Sequence, residues 1–369
     1  MTRALSFDRV EIHGFRNLRR VTFEPVERLN VIAGDNGQGK TSLIEALYLV
    51  ATSRSFRTEQ TADLICDAGS EALVVANLTE GDLPREQRAL LTAKGRAFRL
   101  NGKRPASFAS YAVQTPVVVF HPGDLGLVSG PAQGRRTLLD RVGLFFEPAS
   151  AEHRTRYQRA LRARQRVLED RGMAAPDLDA LEAVASQHGS ALTAIRSRTA
   201  ERLVEALGPA FAKMAAPGLD LSARLRQSGN PDPEAFRAAL AASRRDDLRR
   251  GRACFGPQRD DLELFVAGRP AREQASQGQQ RILTLALKLA ELDCLRQARN
   301  SHPVLLLDDV SSELDPSRTG AVYHLLENAD SQVFVTTTRP ELFSTPELAA
   351  DQRADFALQS GMLMPATRP

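Results

Sequence analysis

The chain holds no tryptophan and only four tyrosines, three cysteines and six histidines among its 369 residues. So few wide aromatic rings leave little to stack unpaired bases on, which argues against a single-strand stacking surface. Cys66, Cys254 and Cys294 lie far apart and make no C-x-x-C pair, so nothing indicates a disulfide framework or a zinc site. The histidines are scattered and form no metal signature. No apolar run approaches the roughly 18 residues of a membrane span. The longest candidate, Ile282 to Leu292, is interrupted by Lys288 and Glu291. The first residues, Met1 to Asp8, carry no apolar signal core. These absences lead us to expect a soluble, cytoplasmic chain with no membrane partner.

What is present is ordinary for a globular protein: 42% hydrophobic and 25% charged residues, with a length that suggests two or three domains. The net charge is only +4, but the pI is about 9.2 and the cations are largely arginine. That balance permits a polyanionic partner without demanding one.

Residues Gly34-Asp35-Asn36-Gly37-Gln38-Gly39-Lys40-Thr41 spell G-x-x-x-x-G-K-[ST]. The apolar run Leu29 to Ala33 before it reads as a buried strand, and Ser42 to Val50 after it has helical spacing. The residue types follow from phosphate chemistry. Glycines let the backbone N–H groups wrap round a phosphate, and the helix N-terminus adds partial positive charge. Lys40 supplies a point charge to the β- and γ-phosphates, and the Thr41 hydroxyl ligates Mg²⁺. The segment from Gly34 to Ser42 is therefore expected to bind a nucleoside triphosphate, which the resemblance described below makes ATP.

Strands are expected at Phe7 to Phe15, Arg20 to Glu24, Leu29 to Ala33, Glu71 to Leu78, Gln87 to Ala93, Arg96 to Leu100 and Pro116 to Phe120. Asn101-Gly102 reads as a tight turn. From about Gly134 to Met214 the texture becomes Arg- and Ala-rich. Two helices are expected there, joined near Gly172 to Asp177 as an inserted hairpin. After residue 255 the α/β texture returns. We therefore expect an α/β protein, a P-loop NTPase head with mixed sheets and flanking helices (residues 1–133 and 255–369), carrying an inserted, mainly helical arm domain (134–254).

Pro303 to Asp309 is an apolar run ending in two carboxylates, as a central parallel strand covered on both faces would be. Asp308 is placed to hold Mg²⁺ and Asp309 to polarise the attacking water. Most of the chain separates the two motifs, too much for a simple GTPase or kinase core. Aspartate at 309 is one methylene shorter than glutamate, so slow hydrolysis is expected.

Ser276-Gln277-Gly278-Gln279 opens a helix whose apolar face is Ile282, Leu285, Ala286 and Leu289. This resembles the signature motif of ABC-type ATPases. In that superfamily it receives the γ-phosphate bound to a second subunit, and Ser276, Gly278 and the helix dipole suit that role. An ordinary helix cap by Ser276 is the plainer reading. Ser312 to Asp315, just after the acidic strand, resembles the D-loop of the same superfamily.

Taken together, the chain resembles the RecF family of bacterial recombination-mediator ATPases, relatives of the SMC heads. The resemblance rests on Gly14 to Leu18, Gly34 to Thr41, Arg54 to Arg57, Arg135 to Asp140, Gly256 to Asp261, Ser276 to Gln280 and Leu305 to Asp315. It implies a homodimer formed on binding ATP, sequence-independent binding to double-stranded or junction DNA, and slow, DNA-dependent hydrolysis. It also implies work with RecR and RecO in placing RecA on single strands, in repair of gapped DNA, replication restart and the SOS response. The chain departs from the family pattern at Gly123, at Gln258 and at Thr336 to Thr338, and the Gln-loop residue stays open. The ATPase subunit of an ABC transporter is the alternative.

Ten arginines stand against five acids between Arg135 and Arg171, and Arg244, Arg245, Arg249, Arg250 and Arg252 follow. Arg156, Arg159, Arg162 and Arg166 share one helix face and are the candidate DNA phosphate contacts. A solvated face with i,i+4 pairs is the bland reading.

Overall fold

The computed structural model describes residues 4–67, 69–213, 220–309, 331–343 and 348–367. Ser312 and Asp315 lie outside the described residues. The chain divides into two compact units, Met1–Asp124 with Leu295–Pro369, and Leu125–Cys294. Residues 125–133 and 255–294 thus fall in the second unit, although the sequence reading groups them with the head.

In the first unit, β1 (Leu5–Phe15) and β2 (Leu18–Phe23) form a hairpin, and β3 (Leu29–Ala33) leads into α1 (Lys40–Thr52). Next come β4 (Glu71–Glu80), β5 (Leu83–Thr92) and β6 (Gly95–Leu100), which build an antiparallel sheet in the order β2-β1-β4-β5-β6. Period-two burial drives it: Val74, Ala76 and Leu78 face inward while their neighbours face out. Asn101 and Gly102 turn with φ of 49° and 74°, the left-handed pair that a tight turn needs. Then follow α2 (Phe108–Ala112) and β7 (Val117–Phe120).

The second unit contains α3 (Gly126–Ser129), α4 (Ala132–Phe146), α5 (Ser150–Arg171), α6 (Asp177–Lys213), β8 (Leu221–Arg226), α7 (Pro233–Arg250), β9 (Asp261–Val266), β10 (Arg269–Pro270) and α8 (Ala271–Gln274). The hairpin of α5 and α6 turns between Arg171 and Asp177, where the sequence places it. Three helices, α4, α5 and α6, stand where the sequence leads us to expect two, and a small antiparallel sheet, β10-β9-β8, is likewise not anticipated. Its first strand has the pattern Leu-Ser-Ala-Arg-Leu-Arg, with no burial deeper than intermediate. Arg164 holds the helices together. It is fully buried and donates to Glu182 on α6 and to Asp247 and Leu240 O on α7.

Helix α9 (Gln277–Arg299) precedes β11 (Val304–Leu307), and β12 (Val333–Thr337), β13 (Arg353–Gln359) and β14 (Met362–Ala366) are the remaining strands among the described residues. Together with β3 and β7 these strands form a six-stranded sheet in the order β14-β13-β3-β12-β11-β7. All pairings in it are parallel except β13 with β14. Every residue of β11 is buried, as a strand covered on both faces must be. One apolar core takes side chains from both large sheets and from α1, which is buried all round except at Thr41.

Candidate nucleotide site

In an open parallel sheet, ligands meet the carboxyl ends of the strands where the strand order reverses. Here β3 and β11 both end at that edge, on either side of β12. The chain leaves β3 through Gly34, whose N–H donates to Thr337 O at 3.2 Å. A Cβ on Gly34 would stand 2.5 Å from Leu358 O on β13, so only glycine passes there. Gly37 and Gly39 take φ of 82° and 113°, conformations that side-chain-bearing residues avoid.

Lys40 is 7% exposed, and its Nζ donates to Gly34 O at 2.6 Å and Asp35 O at 2.9 Å. Burial pulls its pKa down, against the attraction of Asp309, Asp308 and Asp35. Thr41 Oγ1 donates to Asp308 Oδ1 at 3.0 Å, joining residues 267 positions apart in the chain. Thr336 Oγ1 donates to the same oxygen at 2.9 Å and accepts the Asp309 N–H at 3.0 Å. Burial raises the Asp308 carboxyl above its ordinary value, partly offset by the two hydroxyls. Asp309 itself has φ of 50°.

Two neighbouring motifs brace the loop. Asn17, in the turn between β1 and β2, donates to Gly37 O at 3.2 Å and accepts from Ser42 Oγ at 2.8 Å. Gln38 accepts from the N–H groups of Ser360 (2.5 Å) and Gly361 (3.3 Å) in the turn between β13 and β14. Thr336, Asn17 and Ser360 were not among the expected site residues. Asn17 belongs to a family-like motif, but only proximity in space gives it a task.

The donor set fits a hard cation. Thr41 and Asp308 offer two close oxygens, and Asp308, 3% exposed, has no salt bridge among the described residues. Mg²⁺ takes one or two such protein oxygens and completes its shell from phosphates and water. No cluster of three or more His, Cys, Asp and Glu among the described residues could hold a metal.

In the second unit, Ser276 Oγ accepts the Gln279 N–H at 3.2 Å and Gln279 Oε1 accepts the Ser276 N–H at 2.9 Å, a reciprocal capping box. The N–H groups of Gln277 and Gly278 open α9, where a helix has no internal acceptor for them. The Ser276 hydroxyl thus serves as a helix cap in this structure.

The arginines separate into two groups. Arg135 forks onto Asp261 (2.7 and 3.0 Å), Arg154 pairs with Asp140, and Arg244 is spent on Glu182 and Asp179. Arg156 pairs with Glu152 at 2.6 Å and Arg162 donates to Gln158 O at 3.2 Å. Arg159 and Arg166 are exposed and make no ion pair among the described residues.

A buried strand, a glycine loop and a helix at the carboxyl edge of a parallel sheet, with the helix threonine against the aspartate of a second strand, define a P-loop NTPase head of the ABC/SMC class. Comparison with known proteins agrees. The family model described as "RecF/RecN/SMC N terminal domain" matches residues 6–352. The DNA replication and repair protein RecF of Anaeromyxobacter dehalogenans is 37% identical over 96% of this chain and 98% of its own. That of Geobacter sulfurreducens is 34% identical over 96% and 98%. A solved structure of the recombination mediator protein RecF with ATP, in the RecFOR pathway, matches with a TM-score of 0.88 at 25% identity, covering 100% of this chain and 99% of that one. The Smc head domain of Pyrococcus yayanosii shares the fold alone, with a TM-score of 0.57 at 14% identity over 98% and 97% of the two chains. The chain belongs to the RecF family. This membership disfavours the transporter alternative, and no helix among the described residues is long and apolar enough to cross a membrane.

Proposed function

We propose that this chain is an ATP-gated DNA-binding protein of recombinational repair, with hydrolysis serving as a slow switch. The contact between Thr41 and Asp308 carries the reading, because it unites the two halves of a triphosphate and Mg²⁺ site. The backbone from Gly34 to Ser42 cradles the β-phosphate. Lys40 moves from the carbonyls of Gly34 and Asp35 to the phosphate oxygens, a stronger charge-assisted partner. Thr41 and Asp308 would hold Mg²⁺, which would neutralise charge on the phosphates. Asp309 orients the attacking water, and its short side chain keeps turnover weak.

In this reading residues 1–133 and 255–369 act as the ATPase head and 134–254 as the arm. Ser276, Gln277, Gly278 and Gln279 meet the phosphate held by a second copy of the chain, and the Ser276 hydroxyl exchanges its cap for that phosphate. Ser312 and Asp315 cross the same interface. The ATP-bound dimer binds duplex or gapped DNA through phosphate contacts, with Arg159 and Arg166 the best-placed candidates and Arg156 and Arg162 beside them. Hydrolysis depends on DNA. RecR is the proposed direct partner, with RecO and RecA downstream, in gap repair, replication restart and SOS induction in the cytoplasm; the RecFOR pathway of a solved relative supports a link to RecO and RecR.

Sedimentation with and without ATP and a gapped duplex tests this. ATP should double the sedimenting mass and allow DNA to co-sediment. Lys40→Ala should do neither, and a normal ATP-dependent dimer in that variant would refute the shared site.

A further inference from the structure

Two strands leave the parallel sheet side by side at the edge where the phosphate loop begins. β3 and β13 run parallel, with Ala357 opposite Ala33. The first continues into the phosphate loop and the second into the two-residue turn Ser360-Gly361 that leads to β14. Both turn residues are left-handed, with φ of 48° and 75°, as a type I′ hairpin requires. The parallel pairing therefore brings the tip of the C-terminal hairpin against the loop.

The contact runs through the backbone. Ser360 N–H donates to Gln38 Oε1 at 2.5 Å, and Gly361 N–H donates to Gln38 O at 3.3 Å. Gly361 is buried, and a Cβ there would overlap the carbonyl oxygen of Asn17 in the turn between β1 and β2. Asn17 in its turn donates from Nδ2 to Gly37 O at 3.2 Å. Two hairpin tips thus hold two successive carbonyls of the loop, one each. In a planar trans peptide the N–H points opposite to the C=O. With these carbonyls drawn to the hairpins, the N–H groups of Gln38 and Gly39 are turned the other way. Gln38 N–H faces across the loop to Asp35 O at 3.4 Å, the oxygen that also accepts from Lys40 Nζ. Inward N–H groups bind a phosphate, whereas inward carbonyls would repel it.

We propose that the turn between β13 and β14 is a preorganising clamp on the phosphate loop, with Gln38 and Gly361 as positioning residues that set nucleotide affinity. This rests on the ATP reading above and deepens it. A free loop would have to be ordered by the nucleotide at a cost in affinity, and here the fold orders it beforehand. The coupling is reciprocal, so a triphosphate on the loop holds the turn as the turn holds the loop.

Amide hydrogen exchange and calorimetric titration with Mg·ATP test this. In the wild type, Mg·ATP should slow exchange at Ser360 and Gly361 severalfold, and unchanged exchange there would overturn the clamp. Gly361→Ala sets a Cβ against Asn17 O at a left-handed φ. It should speed exchange across residues 34–39 without nucleotide and raise the ATP Kd about tenfold. Turnover at saturating ATP should fall no more than about threefold, the mark of lost binding with the chemistry kept. An unaltered Kd beside a lowered Tm would make the turn a closing element of its own hairpin and refute the role. If Gly361→Ala does not fold, Gln38→Ala serves, since it removes the Oε1 acceptor and leaves the turn intact. Exchange at Ser360 should then rise, and no rise would refute the clamp. A wild-type protein that binds no Mg·ATP would sink the nucleotide reading itself, whereas normal binding with an indifferent turn would overturn this inference alone.

Discussion

Replacing Asp308 with asparagine should stabilise the protein without nucleotide and weaken it with nucleotide, a reversal that a purely structural residue would not show. Asp308 is 3% exposed and has two hydroxyl donors but no salt bridge among the described residues. Burial raises its pKa above that of the unfolded chain. Its neutral form therefore favours the fold below the unfolded value of about 3.9, and that contribution is lost as pH climbs through the raised folded value. At neutral pH the ionised carboxylate is a net cost, on a scale of about 1.4 kcal/mol for each unit of elevation. Asparagine keeps an oxygen for Thr41 and Thr336 and carries no charge, so a gain of about 1 kcal/mol is expected. For a unit the size of Met1–Asp124 with Leu295–Pro369, that is a rise in Tm of roughly 2–4 °C. With Mg²⁺ and ATP at about a hundred times Kd, the wild type should gain about 2.7 kcal/mol, or roughly 5–11 °C, most of which the variant forfeits. Differential scanning calorimetry from acid to neutral pH, with and without Mg·ATP, reads both effects. The gap between the nucleotide-free proteins should close in acid. A lower Tm for Asp308→Asn at neutral pH would mean that the carboxylate is a structural hydrogen-bond acceptor, and the cation-site argument would fail.

Further outcomes follow from the same geometry. Asp309→Asn should abolish hydrolysis while ATP-driven dimerisation survives, and loss of both in gel filtration with ATP would make Asp309 structural. Arg135→Ala strands the partly buried Asp261 carboxylate and two backbone carbonyls, so urea unfolding should show a loss of about 3 kcal/mol; a loss below about 1 kcal/mol would show the fork to be a surface pair. Replacing Arg159 and Arg166 together by alanine should leave ATP binding intact and reduce the salt dependence of DNA affinity by about one unit of slope for each arginine removed. An unchanged slope would exclude that face.

The phosphate loop was legible because its demands are local. Glycines with left-handed φ at 37 and 39, a lysine, a hydroxyl and a strand-to-helix switch all lie within a dozen residues. The α5 and α6 hairpin was legible for the same reason, since apolar periodicity and Gly172 mark it without reference to distant residues. The strand β8 was not, because its alternation is Leu-Ser-Ala-Arg and its inner face is only half-buried.

Sequence by itself determined which residue types are on offer, the glycines, lysine, hydroxyls and paired aspartates that suit phosphate and cation, and in what order they recur along the chain. Tertiary structure decided the neighbours. Only the parallel pairing of β3, β12 and β11 brings Thr41 to Asp308 and sets Thr336 between the two aspartates. Only packing separates the arginines locked onto Asp140, Asp247 and Asp261 from those left in solvent. A charge pattern along a helix states where cations are, whereas their partners come from elements far away in sequence, and burial then fixes what each charge can still bind.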